Sequence, residues 1–206
     1  MKVILVRHAE TEWNLEGIIQ GHSDSTVTHR GIRETSALLT TLTEIGYPIE
    51  CVYSSPLGRA RLMGLSLAEG LHCPLRVEPS LIEQAFGCFE GMSFAHFTRN
   101  HLHDAKALFV HDAAYCPPGG ESLAQASRRV MDFLQNLQDL GEHQTVCIVS
   151  HGHVSQGVLA ILKEGSLNNF SRYAQPNASY SVFDLIDGKC IALKWGIATH
   201  LIQPDR

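Results

Sequence analysis

Lys2-Val3-Ile4-Leu5-Val6 is an apolar, largely β-branched run with no alternation, and it breaks abruptly into Arg7-His8. A strand that is apolar toward both faces belongs inside a parallel sheet covered by helices on either side. Two further runs end in a similar way. Val146-Cys147-Ile148-Val149 delivers Ser150-His151-Gly152, and Cys51-Val52-Tyr53 delivers Ser54-Ser55-Pro56-Leu57-Gly58-Arg59. Open parallel sheets bind ligands beyond the carboxyl ends of their strands, so Arg7, His8, Arg59 and His151 are expected on one rim.

The segments between these runs read as helices. Thr28 caps one that carries Ile32, Leu38, Leu39, Leu42 and Ile45 at helical spacing and stops at Gly46. Others are expected from Pro56 to about Gly70, from Ser122 to Gly141 and around Val154 to Leu162, with a short strand at Leu75-Arg76-Val77. Near the carboxyl end, Tyr180–Phe183 and Cys190–Trp195 are strand-like and joined through Asp187-Gly188, a strong hairpin signal. The expectation is an α/β three-layer sandwich: a mostly parallel central sheet flanked by helices, with an antiparallel edge strand. No linker or repeat divides the chain, so 1–206 reads as one domain, with a less regular insertion at about 84–118 over the rim.

Composition narrows the function. Sixteen Lys and Arg against 21 Asp and Glu give a net charge of −5, which offers no basic excess for a nucleic-acid backbone. The opening apolar run is too short for a signal peptide and no run approaches a membrane span, so the chain reads as cytoplasmic with no membrane partner. Six dispersed cysteines without a C-x-x-C pair read as free thiols. His96, His101, His103 and His111 have poor spacing for zinc, and no metal or organic cofactor is expected. Two arginines and two imidazoles on one rim, one guanidinium at a helix start, suit a phosphate dianion better than a cation.

Leu5-Val6-Arg7-His8-Ala9-Glu10-Thr11-Glu12-Trp13-Asn14 resembles the signature of the histidine phosphatase superfamily, in its phosphoglycerate mutase-like branch. The likeness continues in order through Gln20-Gly21-His22-Ser23-Asp24, Thr28-His29-Arg30-Gly31, Ser54–Ala60, Leu81–Gly87, Gly119–Ser122 and Val149–Gly152. The resemblance implies a phosphoglycerate mutase-like fold and a phosphoric monoester hydrolase of the histidine acid phosphatase type. His8 would be the nucleophile, Arg7, Arg59 and His151 the phosphoryl ligands, and Glu83 the proton donor. Asn14, Gln20, Gly21 and Gly152 would complete a site for a small phosphomonoester. Glu10, Glu12 and Glu90 compete with Glu83, and loop stabilisation is the other reading of Asn14 and Gln20.

The chemistry asks for these residue types. A neutral imidazole attacks phosphorus in line when its second nitrogen is held by an acceptor, and preorganised cationic donors stabilise the equatorial oxygens. A carboxyl group protonates the leaving alkoxide and then activates water. Three departures from the family pattern matter. Ala9 replaces the commoner glycine and so requires an ordinary backbone there. Arg61-Leu62-Met63-Gly64 replaces the usual Gln-Thr-Ala stretch, which leaves the support of Arg59 open. Gln84 and Phe86 lack the groups a mutase carries, so a phosphatase is favoured over a phosphoglycerate mutase-type phosphotransferase or a non-catalytic phosphate-binding module. Phe86, Phe89, Phe94, Phe97, Phe109 and Tyr115 are expected in the core, or in part as an apolar wall above the phosphate.

Overall fold

The computed structural model describes residues 1–202. Six strands form one sheet: β1 (Lys2–Arg7), β2 (Cys51–Ser54), β3 (Leu75–Val77), β4 (Thr145–Ser150), β5 (Tyr180–Ile186) and β6 (Lys189–Ile197), in the order β3-β2-β4-β1-β5-β6. The first four are mutually parallel, while β5 runs antiparallel beside β1 and β6 antiparallel beside β5. The antiparallel edge is thus a hairpin of two strands rather than one. Asp187 and Gly188 both take positive φ, 50° and 72°, as a two-residue hairpin turn of the right twist demands.

Both faces of the sheet are covered because successive side chains point to opposite sides. Ile4 and Val6 of β1 pack with Val52, Cys147 and Val149 against α2 (His29–Ile45) and α3 (Gly58–Gly70). Val3 and Leu5 pack with Val146 and Ile148 against α6 (Leu123–Leu140) and α7 (Gly152–Glu164). Each fully buried aliphatic side chain contributes about 1.5–3 kcal/mol, which a polar residue anywhere from Val3 to Val6 would forfeit.

Helix ends follow local chemistry. Thr28 Oγ1 accepts from the Gly31 amide at 2.9 Å, and Gly46 closes α2 with φ of 70°. Helix α3 begins at Gly58 rather than Pro56, and α7 begins at Gly152, two residues ahead of the periodic apolar stretch. Ile32 and Ile45 of α2 are exposed, whereas Leu38 and Leu42 are buried, so the buried stripe is narrower than the apolar spacing implied.

The segment 84–118 carries two short helices, α4 (Phe94–Asn100) and α5 (Leu102–Lys106), followed by one wide turn of helix over Ala107–His111. Its own cluster joins Ile19, Phe86, Phe89, Phe97, Ala105 and Leu108. Phe97 is fully buried there, while Phe94 is 46% exposed. With α1 (Glu12–Glu16), this cluster stands over the carboxyl end of β1. Among the described residues no helix is long and apolar enough to cross a membrane.

Candidate active site

Strand register assembles the rim. Arg7 pairs with Ser150 across β1 and β4, and Ser54 pairs with Val149 across β2 and β4, so His8, His151 and Ser55 emerge side by side from three adjacent strands. The His8 and His151 rings lie 5.2 Å apart between centroids. Above them opens a cleft of about 280 Å³. It is lined by the charged and polar side chains of Arg7, His8, Asn14, Gln20, Arg59, Glu83, His153 and Gln156, by Gly21 and Gly152, and by an apolar wall that includes Trp13, Ile18, Phe86, Phe94 and Phe109.

His8 Nδ1 lies 2.8 Å from the Ala9 carbonyl. A carbonyl can only accept, so Nδ1 carries the proton and Nε2 keeps its lone pair. Burial holds the His8 imidazole well below its ordinary pKa, with Arg59 and then Arg7 pushing the same way. Ala9 keeps an ordinary negative φ, so its methyl group carries no backbone strain.

The two guanidinium groups are anchored by protein oxygens. Arg7 Nη1 donates to the Gln175 carbonyl, and its Nε is buried without a protein partner. A Cβ on Gly152 would stand 3.0 Å from that Nε, so the absence of a side chain at Gly152 is what lets the guanidinium lie over the start of α7. Arg59 is only 2% exposed. Its Nη1 donates to Ser23 O at 2.7 Å and Asp24 Oδ1 at 2.9 Å, its Nη2 donates to Gly21 O at 2.7 Å, and its Nε lacks a partner. Support for Arg59 therefore comes from the 21–24 loop, and the turn that follows it in α3 is not needed for that purpose. Asp24 is its ion-pair partner.

Glu83 accepts three amide hydrogens: Gln84 and Val154 at Oε1, at 2.9 and 2.8 Å, and His153 at Oε2, at 3.0 Å. Two of these belong to the first turn of α7, whose own N-cap residue, His151, supplies no side-chain cap. Glu83 thus caps that helix from outside, and Oε2, with a single amide partner, keeps a free lone pair on a side chain that lines the cleft. The rival carboxylates are engaged elsewhere. Glu10 accepts from Thr28 Oγ1, Glu12 is exposed, and Glu90 accepts from the His22 and Ser23 amides, Ser23 Oγ and the Phe86 amide.

His151 is fully buried beside the His8 ring and contributes no surface to the open cleft. Asn14 Oδ1 accepts from Thr11 and Asn177, which leaves its amino group as the end available to a ligand. Gln20 is engaged with Thr11 and Ser25, as a loop-stabilising amide would be, although it borders the cleft. Several contributors escaped the sequence reading. Asn177 Nδ2 donates to His8 O at 3.1 Å, and Arg129 donates to the carbonyls of Ser80, Ile82 and Glu83 while pairing with Glu121 at 2.6 Å. A guanidinium that gathers three carbonyls from residues 80–83 fixes the strap bearing Glu83. Asn177 was reachable from topology, because the loop before an antiparallel β5 must arrive at the carboxyl end of β1. Nothing in the pattern around Arg129 announced its role.

His8, His151 and His153 are all buried, and burial is the largest cause holding each below its ordinary value, to about 4 for His153. The unfolded chain takes up protons below about pH 6.5 that the folded chain refuses, so stability is complete above that pH and lost as pH falls. For His153 the interval down to about 4 corresponds to ~3 kcal/mol. The urea midpoint is therefore expected to fall steadily from pH 7 to pH 5, and His153→Gln to make that decline shallower. A midpoint independent of pH over this range would contradict the buried neutral imidazoles.

The model of the histidine phosphatase superfamily (branch 1) matches residues 3–198. Phosphoserine phosphatase 1 of Hydrogenobacter thermophilus is 33% identical over 201 residues, covering 98% of this chain and 94% of that protein. A probable phosphoglycerate mutase GpmB of Escherichia fergusonii is 29% identical over 99% of this chain and 96% of its own length. Among solved structures, phosphoserine phosphatase of Entamoeba histolytica in complex with 3-phosphoglyceric acid superposes with a TM-score of 0.84 at 28% identity, covering 98% of this chain and 99% of that one.

Proposed function

The chain belongs to branch 1 of the histidine phosphatase superfamily, and on that premise we propose that it hydrolyses a small phosphomonoester through a phosphohistidine on His8. The observation that carries this reading is the unprotonated Nε2 of His8, held by the Ala9 carbonyl behind it, in a cleft that Arg7 and Arg59 also line. His8 Nε2 attacks phosphorus in line, the bond from phosphorus to the ester oxygen breaks, and the departing alkoxide takes a proton from Glu83. Water then gives a proton back to Glu83 and attacks phosphorus, the phosphorus–nitrogen bond breaks, and inorganic phosphate leaves a neutral His8. Arg7 and Arg59 hold the equatorial oxygens throughout, which is the largest stabilisation such a transfer receives. The catalytic unit is the whole chain, with 84–118 as the wall that shapes the cleft.

Hydrolysis is favoured over mutase chemistry by the lining of the cleft. Among the described residues, Arg7 and Arg59 are the only Arg or Lys side chains in it, and both are the groups assigned to the phosphoryl oxygens. A mutase retains a bisphosphorylated intermediate by holding both ends with fixed cations, and beyond Glu83 and the histidines the remaining side chains here are the amides Asn14, Gln20 and Gln156 and apolar groups that include Trp13, Ile18, Phe86, Phe94 and Phe109. The same wall favours an apolar or aromatic alcohol over the charged carboxylate and ammonium of phosphoserine, for which the similarity to phosphoserine phosphatases would argue.

A panel of phosphomonoesters at mildly acidic to neutral pH tests the reading. Aryl phosphates are expected to exceed phosphoserine and 3-phosphoglycerate in kcat/KM, and Phe94→Ala to reduce that advantage by ~1–2 kcal/mol, about 5- to 30-fold. Phe97 lies beneath the wall, so its truncation would disturb packing and carries no information on specificity. An Phe94→Ala protein with its full preference would refute the apolar wall. Binding of phosphate without turnover of any ester would identify a non-catalytic module instead.

A further inference from the structure

Ser55 follows β2 at the bend into α3 and is fully buried. Its amide donates to Val149 O at 3.0 Å, which fixes it against β4, and its Oγ lies 2.7 Å from His151 Nε2. The same Oγ accepts from the Leu57 amide at 3.3 Å. On the far side of the ring, His151 Nδ1 is buried with no protein partner.

These contacts distinguish the two neutral tautomers. A serine hydroxyl has one hydrogen to give, and His151 Nε2 is the acceptor within reach once a lone pair of Oγ faces Leu57. If the hydroxyl donates to Nε2, that nitrogen is unprotonated and Nδ1 carries the ring hydrogen. The opposite arrangement would leave the serine hydrogen without an acceptor in a buried site, a cost of about 1–3 kcal/mol. A ring kept neutral by burial holds a single hydrogen, so the choice made at Nε2 decides what Nδ1 presents.

We propose that Ser55 is a positioning residue that holds His151 in the Nδ1–H form, so that this ring offers a hydrogen-bond donor, rather than a lone pair, to a phosphoryl oxygen carried on His8. The proposal rests on the hydrolytic reading above only for the identity of the oxyanion. Loss of the hydroxyl frees the ring to place its hydrogen on Nε2, and Nδ1 would then turn a lone pair toward the transferring group.

Imidazole ¹⁵N shifts of His151 in the resting protein test the tautomer directly, alongside kcat/KM on an aryl phosphate and inhibition by orthovanadate. The wild type is expected to show a protonated Nδ1 and an unprotonated, hydrogen-bonded Nε2. Ser55→Ala should mix the tautomers, lower kcat/KM by ~10- to 100-fold and weaken vanadate inhibition by a similar factor, with Ser55→Thr restoring all three. An Nε2-protonated wild type, or a Ser55→Ala protein with unchanged shifts and full kcat/KM, would overturn the assignment. A wild type that shows the expected shifts but turns over no ester defeats the hydrolytic reading and supports the tautomer assignment.

Discussion

Replacing His8 with alanine is expected to abolish turnover of every phosphomonoester, with kcat/KM down by about 10⁴–10⁶-fold, as for other enzymes deprived of their covalent nucleophile. The protein should remain folded. The His8 ring contributes one hydrogen bond, to its neighbour's carbonyl, while the backbone on either side is held by β1 and by the His8 amide to Ser150 O at 3.0 Å. Removing a buried imidazole also removes one of the groups that refuses protons in the folded state, which offsets part of the packing loss at acid pH. Steady-state assays with an unchanged circular dichroism spectrum check this outcome. Full activity of the His8→Ala protein would exclude a phosphohistidine at this position.

The second large effect is expected at Arg59. Arg59→Met should lower kcat/KM by about 10²–10³-fold, because a preorganised cationic donor to the transferring phosphoryl group is lost in a dry site. It should also destabilise the fold. Gly21 O, Ser23 O and the Asp24 carboxylate all depend on this guanidinium, and a buried acceptor left unpaired costs about 1–3 kcal/mol. Asp24 is 35% exposed at its side chain and can turn to water, so a total loss of about 2–4 kcal/mol is expected rather than the full sum. Arg59→Lys should recover little of either, because a single ammonium cannot reproduce the two-nitrogen fork that reaches Gly21 O on one side and Ser23 O and Asp24 on the other. Urea denaturation paired with kinetics separates the two effects. A variant with normal activity and reduced stability would assign Arg59 to the 21–24 loop alone.

The central sheet was readable because its signal is local. Val3–Val6 and Val146–Val149 are unbroken apolar runs, and each ends in a polar residue at the point where a parallel strand leaves the core. Hairpin chemistry at Asp187-Gly188 was equally local, since the turn needs positive φ at both positions. The same logic placed His8, Arg7, Arg59 and His151 together without knowledge of register. What sequence pattern missed are contacts across the chain. Glu83 caps α7 from 70 residues away, Arg129 ties α6 to the strap that carries Glu83, and Glu90 joins the 22–23 loop to Phe86. These depend on where loops cross, which no periodicity encodes. Phe94 and Phe97 show the limit from the other side. They are three residues apart on one short helix, yet one lines the cleft and the other is sealed beneath it.

The most direct test is to quench the protein during turnover of an aryl phosphate and map the phosphorylated residue by mass spectrometry, alongside the stability of the adduct to acid and base. The account predicts an acid-labile, base-stable phosphoryl group on His8, absent from the His8→Ala protein. A phosphoryl group on any other residue, or rapid turnover with no phosphoenzyme on any quench timescale, would contradict it.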